Sequence, residues 1–270
     1  MSLVLVEKPI PHVSVIVLNR PERLNALSFD TVVPLHEALR TVAADNDTWV
    51  AVLTGAGRGF CSGLDLEDHG MPPGCDDLPM SRIAIRAMPQ PVLAAINGPA
   101  YGGGLCLTLG ADLRLAAASA TFRNAGINNG LTGTELGISW LLPRAIGAAH
   151  AWDIILSGRE LNAEDALRVG LVSRVVPDAE LLPTAQSLAR EIARETAPVA
   201  VALTKQLIWR FLSEPDPSAA EKLDGLVFGW STQSPDAKEG IRSFLEKRQP
   251  RWGMKVSTDV PDLDGFLKKK

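Results

Sequence analysis

Residues 91–110 read PVLAAINGPAYGGGLCLTLG. Pro91 to Ile96 is a short apolar run bounded by turn residues, which predicts a buried strand. Asn97 and Gly98 end it, and Gly102, Gly103 and Gly104 then stand at the mouth of a second apolar segment. Leu105 to Leu109 predicts a helix of small and apolar residues. Glycine gives up more backbone freedom on folding than any other residue, so three in succession at a strand-to-helix junction need a local reason. In open α/β sheets ligands bind beyond the carboxyl ends of strands, and glycine there lets a backbone N–H approach a ligand unscreened. A tight turn with glycine in left-handed positions is the plainer reading of one such loop.

The same layout occurs upstream. Val50 to Leu53 predicts a strand, and residues 55–66, GAGRGFCSGLDL, follow it. Two loops that each aim a bare N–H at one spot make an oxyanion hole, where one donor is worth about 2.7–4 kcal/mol at the transition state. A dinucleotide fingerprint fits worse, because GAGRGF lacks the GxGxxG spacing, and no Walker pattern is present.

Outward from these loops, Val13 to Leu18 predicts a further strand. Helical spacing runs over Phe29 to Ala44, with Ser28 as N-cap and Pro34 in the first turns. Residues 65–80 read as a loop, Ser81 to Met88 as a short helix and Leu113 to Ala116 as a strand. Such alternation predicts an α/β domain. From about Pro143 helices dominate, over 148–156, 163–168, 180–195, 199–212 and 240–248.

The 270 residues are 46% hydrophobic and carry a net charge of -4, enough for one large core and without the basic footprint of a nucleic-acid binder. No run of about 18 apolar residues suggests a membrane span. The N-terminal residues lack the basic and apolar pattern of a signal peptide. Cys61, Cys75 and Cys106 have no metal-ligand spacing and fit a reducing compartment. A soluble, cytoplasmic protein is expected, with no nucleic-acid or membrane partner.

Ordered motifs then span most of the chain: LNRPERLNALS (18–28), LTGAGRGFCSGLDL (53–66), INGPAYGGG (96–104), ADLR (111–114), LPRAIG (142–147), EDALRVGLV (164–172) and EGIRSFLEKRQP (239–250). Together they resemble the crotonase superfamily, the enoyl-CoA hydratase/isomerase group. The resemblance implies a β-β-α spiral core over 1–195 and a helical C-terminal trimerisation region over 196–270, assembled as a homotrimer or a dimer of trimers. It implies an acyl-CoA substrate and no cofactor or metal, coenzyme A being part of the substrate. The oxyanion donors would be the N–H groups of Leu64 and Gly103. Arg23, Leu24 and Ala26 would line the nucleotide, and Ser62, Asp65 and Leu66 the adenine and pantetheine path. Phe244 and Lys247 match positions that complete this pocket, sometimes from a neighbouring subunit. For Arg23 and Lys247 a solvated surface charge is the plainer reading.

The chain also departs from that pattern. Hydratase chemistry in the group uses two glutamates that share a water. The first is expected two residues after the triplet, where Cys106 stands; the second falls on Gly126, or on Ile127 with a one-residue shift. Cys106 reads as an inert core thiol. Glu135, seven residues before Leu142, matches the position where the dienoyl-CoA isomerase branch carries a catalytic aspartate. Pairing with Arg123 or Arg144 is the structural alternative for it. His69, in the 65–80 loop, is a weaker proton carrier. Three readings follow: a hydratase/isomerase-type enzyme with Glu135 as acid/base, a double-bond isomerase in particular, and a non-catalytic acyl-CoA binder.

Overall fold

Two hydrophobic layers enclose a mostly parallel sheet in the computed structural model, which describes residues 2–67 and 85–268. In chain order the elements begin β1 (Val4–Ile10), β2 (Val13–Leu18), α1 (Phe29–Ala44) and β3 (Val50–Gly55). β4 (Val92–Ile96), β5 (Ala100–Tyr101), α2 (Gly103–Gly110), β6 (Leu113–Ala117) and β7 (Thr121–Arg123) follow. Next come α3 (Ile138–Ile146), α4 (Ala148–Ser157), β8 (Glu160–Asn162), α5 (Ala163–Arg168), β9 (Arg174–Val176) and α6 (Leu181–Glu195). The C-terminal helices are α7 (Pro198–Phe211), α8 (Pro217–Ser231), α9 (Pro235–Glu246) and α10 (Leu263–Lys268).

The larger sheet has the order β1-β2-β3-β4-β6-β9, and the smaller β5-β7-β8. β1 pairs antiparallel with β2, and the pairs from β2 to β9 are parallel. Both faces of the parallel strands are covered, which explains their unbroken apolar runs. Ala51 and Leu53 of β3 face the layer that holds α1, α2 and α3, while Val50 and Val52 face α6. α6 meets them with Leu181 and then Ala185, Ala189 and Ala193, a one-in-four stripe whose small alanines let the helix lie close to the sheet.

The expected strands and helices of the core are present, with differences that have local causes. β1 escaped the sequence pattern because Glu7, Lys8 and Pro9 interrupt it; as an edge strand it tolerates all three. Ser28 occupies the N-cap of α1, but its hydroxyl meets the Thr31 hydroxyl and caps no backbone N–H. α9 starts at Pro235, ahead of the expected 240, because Ser234 caps it through the Ala237 N–H. α3, α8 and α10 were not expected at all. The loop at 65–80 and the helix at 81–88 lie largely outside the described residues; of the latter, 85–87 form a turn.

A separate cluster built by Val199, Leu203, Leu223, Val227 and Leu263 joins α7, α8 and α10. α7 also anchors on the core: Lys205, nearly fully buried, pairs with Asp112 at 2.8 Å. No helix among the described residues is long and apolar enough to cross a membrane.

Candidate active site

The two glycine loops are stapled together before any ligand is considered. Asn97, the residue after β4, donates to the carbonyls of Gly55 (2.9 Å) and Gly57 (3.0 Å). Buried Asn25 donates to Ala56 and Gly59 from the other side. Leu24 and Asn25 are consecutive left-handed residues, and this bend presses residues 20–27 onto the first glycine loop. Sequence reasoning passed over both asparagines. Their signal was an asparagine at a strand end and another inside a Pro-Glu-Arg-Leu-Asn turn.

Further along, Leu27 forms a parallel bridge with Leu64. The Leu27 N–H donates to the Gly63 carbonyl at 2.7 Å, and the Asp65 N–H donates to the Leu27 carbonyl at 3.0 Å. Amides alternate in direction along an extended chain, so this bridge turns the Leu64 N–H to the opposite edge. In the second loop the Gly102 N–H is spent on the Arg123 carbonyl at 2.9 Å. Gly103 opens α2, and the N–H of a first helical residue has no partner within its own helix. The helix N-terminus adds partial positive charge there. The loops touch: a Cβ on Gly63 would lie 3.3 Å from the Gly103 nitrogen. Close packing also accounts for the triplet. Gly102 has φ +46, and a Cβ on Gly104 would lie 2.0 Å from the Cys61 carbonyl oxygen.

Glu135 comes to the same place from the loop before α3. A Cβ on Gly102 would stand 3.0 Å from its Oε1, so the carboxylate hangs over the residue that precedes Gly103. Leu136 and Gly137, at φ 47 and φ 79, reverse the chain immediately after it. Burial raises the Glu135 carboxyl above the ordinary glutamate range. Neither arginine weighed as its partner reaches it: Arg123 Nε donates to the Gly158 carbonyl and Arg144 Nε to the Leu212 carbonyl. Among the described residues no hydrogen bond or ion pair engages the carboxylate.

Cys106 lies against the same turn, its thiol donating to the Glu135 carbonyl at 3.5 Å. Burial, then the nearby Glu135 charge, pushes this thiol up, and burial pushes Cys61 up to about 12. Both stay protonated at neutral pH, as a core thiol does. Gly126 opens a 3-10 turn that carries no carboxylate.

The expected CoA-side residues divide into two groups. Arg23, Leu24, Ala26, Ser62, Asp65 and Leu66 gather where the 20–27 loop meets the first glycine loop, with the Ser62 N–H on the Leu24 carbonyl at 3.0 Å. Arg23 pairs with Glu67, and Leu66 is exposed. Asp65 is buried and held by Arg20 at 2.6 Å; burial pushes its carboxyl up, but the Glu67 N–H and the Arg20 guanidinium outweigh this and hold it low. It is a fixed anion, not a proton carrier. Phe244 and Lys247, on and after α9, are not brought to this place: the Phe244 ring is 82% exposed, and neither residue bonds to the 20–27 loop. His69 and Cys75 lie outside the described residues.

The chain matches the family model described as enoyl-CoA hydratase/isomerase over residues 11–255. It is 50% identical to a probable enoyl-CoA hydratase of Mycobacterium bovis, covering 93% of this chain and 92% of that one. A probable enoyl-CoA hydratase/isomerase from Mycobacterium abscessus superposes with TM-score 0.86 at 42% identity, covering 94% of this chain and 100% of that one. A monofunctional enoyl-CoA isomerase from M. smegmatis superposes with TM-score 0.72 at 44% identity, covering 82% and 99%.

Proposed function

The chain belongs to the enoyl-CoA hydratase/isomerase family, and from that premise we propose that it moves a carbon–carbon double bond within an acyl-CoA, using Glu135 as its single proton carrier. Its fold is the crotonase fold expected from the resemblance, with the helical C-terminal region in place. The observation that supports this reading most directly is the half-buried Glu135 carboxylate beside Gly102, with its proton affinity raised and, among the described residues, no cation holding it.

The chemistry follows from those groups. The thioester oxygen accepts from the Leu64 and Gly103 N–H groups, which makes the neighbouring carbon acidic. Glu135 removes a proton from that carbon in a β,γ-unsaturated chain, and the C–H electron pair delocalises onto the thioester oxygen as a dienolate. The two amides and the α2 N-terminus stabilise that charge where it develops. The Glu135 carboxylic acid then returns the proton to the γ carbon, and the double bond comes to rest between the α and β carbons. No water is consumed and no cofactor takes part. A carboxyl with raised proton affinity suits both halves, since it must accept and release the same proton. Hydration would require a second group to activate water. At the position where the family's first glutamate was expected, Cys106 offers a buried, protonated thiol.

Arg23, Leu24, Ala26, Ser62, Asp65 and Leu66 form the CoA-facing surface in this proposal. Phe244 and Lys247 serve a neighbouring subunit of a trimer or a dimer of trimers.

Purified protein should isomerise a β,γ-enoyl-CoA to its conjugated form, followed by the ultraviolet absorbance of the conjugated enoyl thioester, and hydrate a conjugated enoyl-CoA poorly. Unchanged isomerisation in Glu135→Gln removes Glu135 from the mechanism. Acyl-CoA binding without turnover at any chain length leaves the protein a binder.

A further inference from the structure

The far end of α2 carries charge that the reaction at Glu135 does not use. Asp112 takes Lys205 Nζ on Oδ2 at 2.8 Å and Trp209 Nε1 on Oδ1 at 2.7 Å, so both of its oxygens are engaged. Lys205 also donates to the Ile85 and Gln90 carbonyls. Trp209, fixed by Asp112, carries the Arg86 guanidinium 5.2 Å from its ring centroid, and Arg86 lies 5.9 Å from the Trp140 ring. Trp140 carries a second guanidinium, that of Arg144, at 4.3 Å. Among the described residues Arg144 donates to the Leu212 and Trp140 carbonyls. Among the described residues neither arginine meets a carboxylate.

Beside this ladder opens a cavity of about 550 Å³, walled by Leu109, Leu141, Ile208 and Leu212 together with Trp209 and Arg144. Among the described lining residues Lys205 and Asp112 offset each other, which leaves Arg114 and Arg144 as the surplus charge. Apolar walls with the Arg144 guanidinium in the lining, and Arg86 outside the lining against Trp209, complement a carboxylate at the end of an apolar chain. The location sets which chain. α2 begins at the Gly103 oxyanion donor, while Leu109 lines the cavity and Gly110 abuts Ile85 beside Arg86. The helix separates the two by about 10 Å at 1.5 Å per residue.

We propose that this cavity binds a carboxylate at the end of an apolar chain, and that the chain is the far end of the acyl group whose thioester sits at Gly103. The substrate class is then an acyl-CoA with a distal carboxylate. The proposal rests on the function assigned above, and a free medium-chain carboxylate is the other source of the same chemistry.

Two measurements separate these. Isomerisation is compared for a medium-chain β,γ-enoyl-CoA ending in a methyl group and its counterpart ending in a carboxylate. This is done for the intact chain and for Arg86→Gln/Arg144→Gln, whose thermal unfolding is checked in parallel. Decanoate binding to both proteins is measured by calorimetry. The expected result is a kcat/KM preference for the carboxylate-ended substrate that falls at least tenfold in the double variant. No preference, with decanoate binding that the double variant loses, keeps the carboxylate site and overturns the assignment to the acyl end. Neither preference nor decanoate binding overturns the site. If no acyl-CoA turns over but decanoate binds in the arginine-dependent way, the isomerase reading falls and the site stands.

Discussion

Glu135 is harder to ionise than a glutamate in water, because burial raises its carboxyl. Its proton-accepting form therefore fills only as pH climbs past that raised value, and the isomerisation rate should rise with pH through an apparent pKa above the free-glutamate value of about 4.3. The same shift has a stability sign. Between the unfolded and the raised folded pKa the folded chain binds more protons, so stability falls as pH rises through that window. Glu135→Gln should lower kcat about 10²–10⁴-fold, while its melting temperature at neutral pH stays equal or rises. A melting temperature that dropped with the activity would mark Glu135 as structural. Cys106→Ala should keep turnover within a few-fold, since a protonated buried thiol moves no proton. Gly104→Ala forces a methyl against the Cys61 carbonyl and should lower unfolding free energy in urea by about 1–3 kcal/mol, as overpacking does.

At the scale of elements, α2 and α7 do most to place the site. α2 ends the strand-loop-helix unit that was legible from apolar runs and glycines alone. α7 holds α2 and β4 from the far side, because buried Lys205 ties Asp112 to the Ile85 and Gln90 carbonyls. Lys205→Met should lower stability by about 3–5 kcal/mol, since it leaves a carboxylate without its cation; urea unfolding measures this. The loop geometry around α2 was less legible than the helix itself. Asn25 and Asn97 decide how the two glycine loops meet, yet each sits in an ordinary turn context. Their roles depend on carbonyls more than 30 residues away in sequence. α3, α8 and α10 went unread for a related reason: they are short or weakly periodic, and packing on neighbours specifies them.

At the scale of the molecule, α8 and α9 leave Phe228, Ile241, Phe244 and Leu245 exposed, an apolar surface that a lone chain does not cover. Sedimentation should therefore give a multiple of the 28.9 kDa chain mass, and Phe244→Asp/Leu245→Asp should lower it; a monomer before substitution would end the trimer proposal. Sequence alone determined the strand-helix alternation, because periodicity and glycine punctuation are local properties. It also identified the family through ordered motifs, against which Cys106 and either Gly126 or Ile127 read as standing where carboxylates were expected. Tertiary structure decided where the carboxylate of the proposed mechanism lies. Glu135 lies 32 residues beyond Gly103 in sequence, and only the turn through Leu136 and Gly137 brings its carboxylate over Gly102. Its raised proton affinity is likewise a product of folding, since burial is a property of the surroundings and not of the residue.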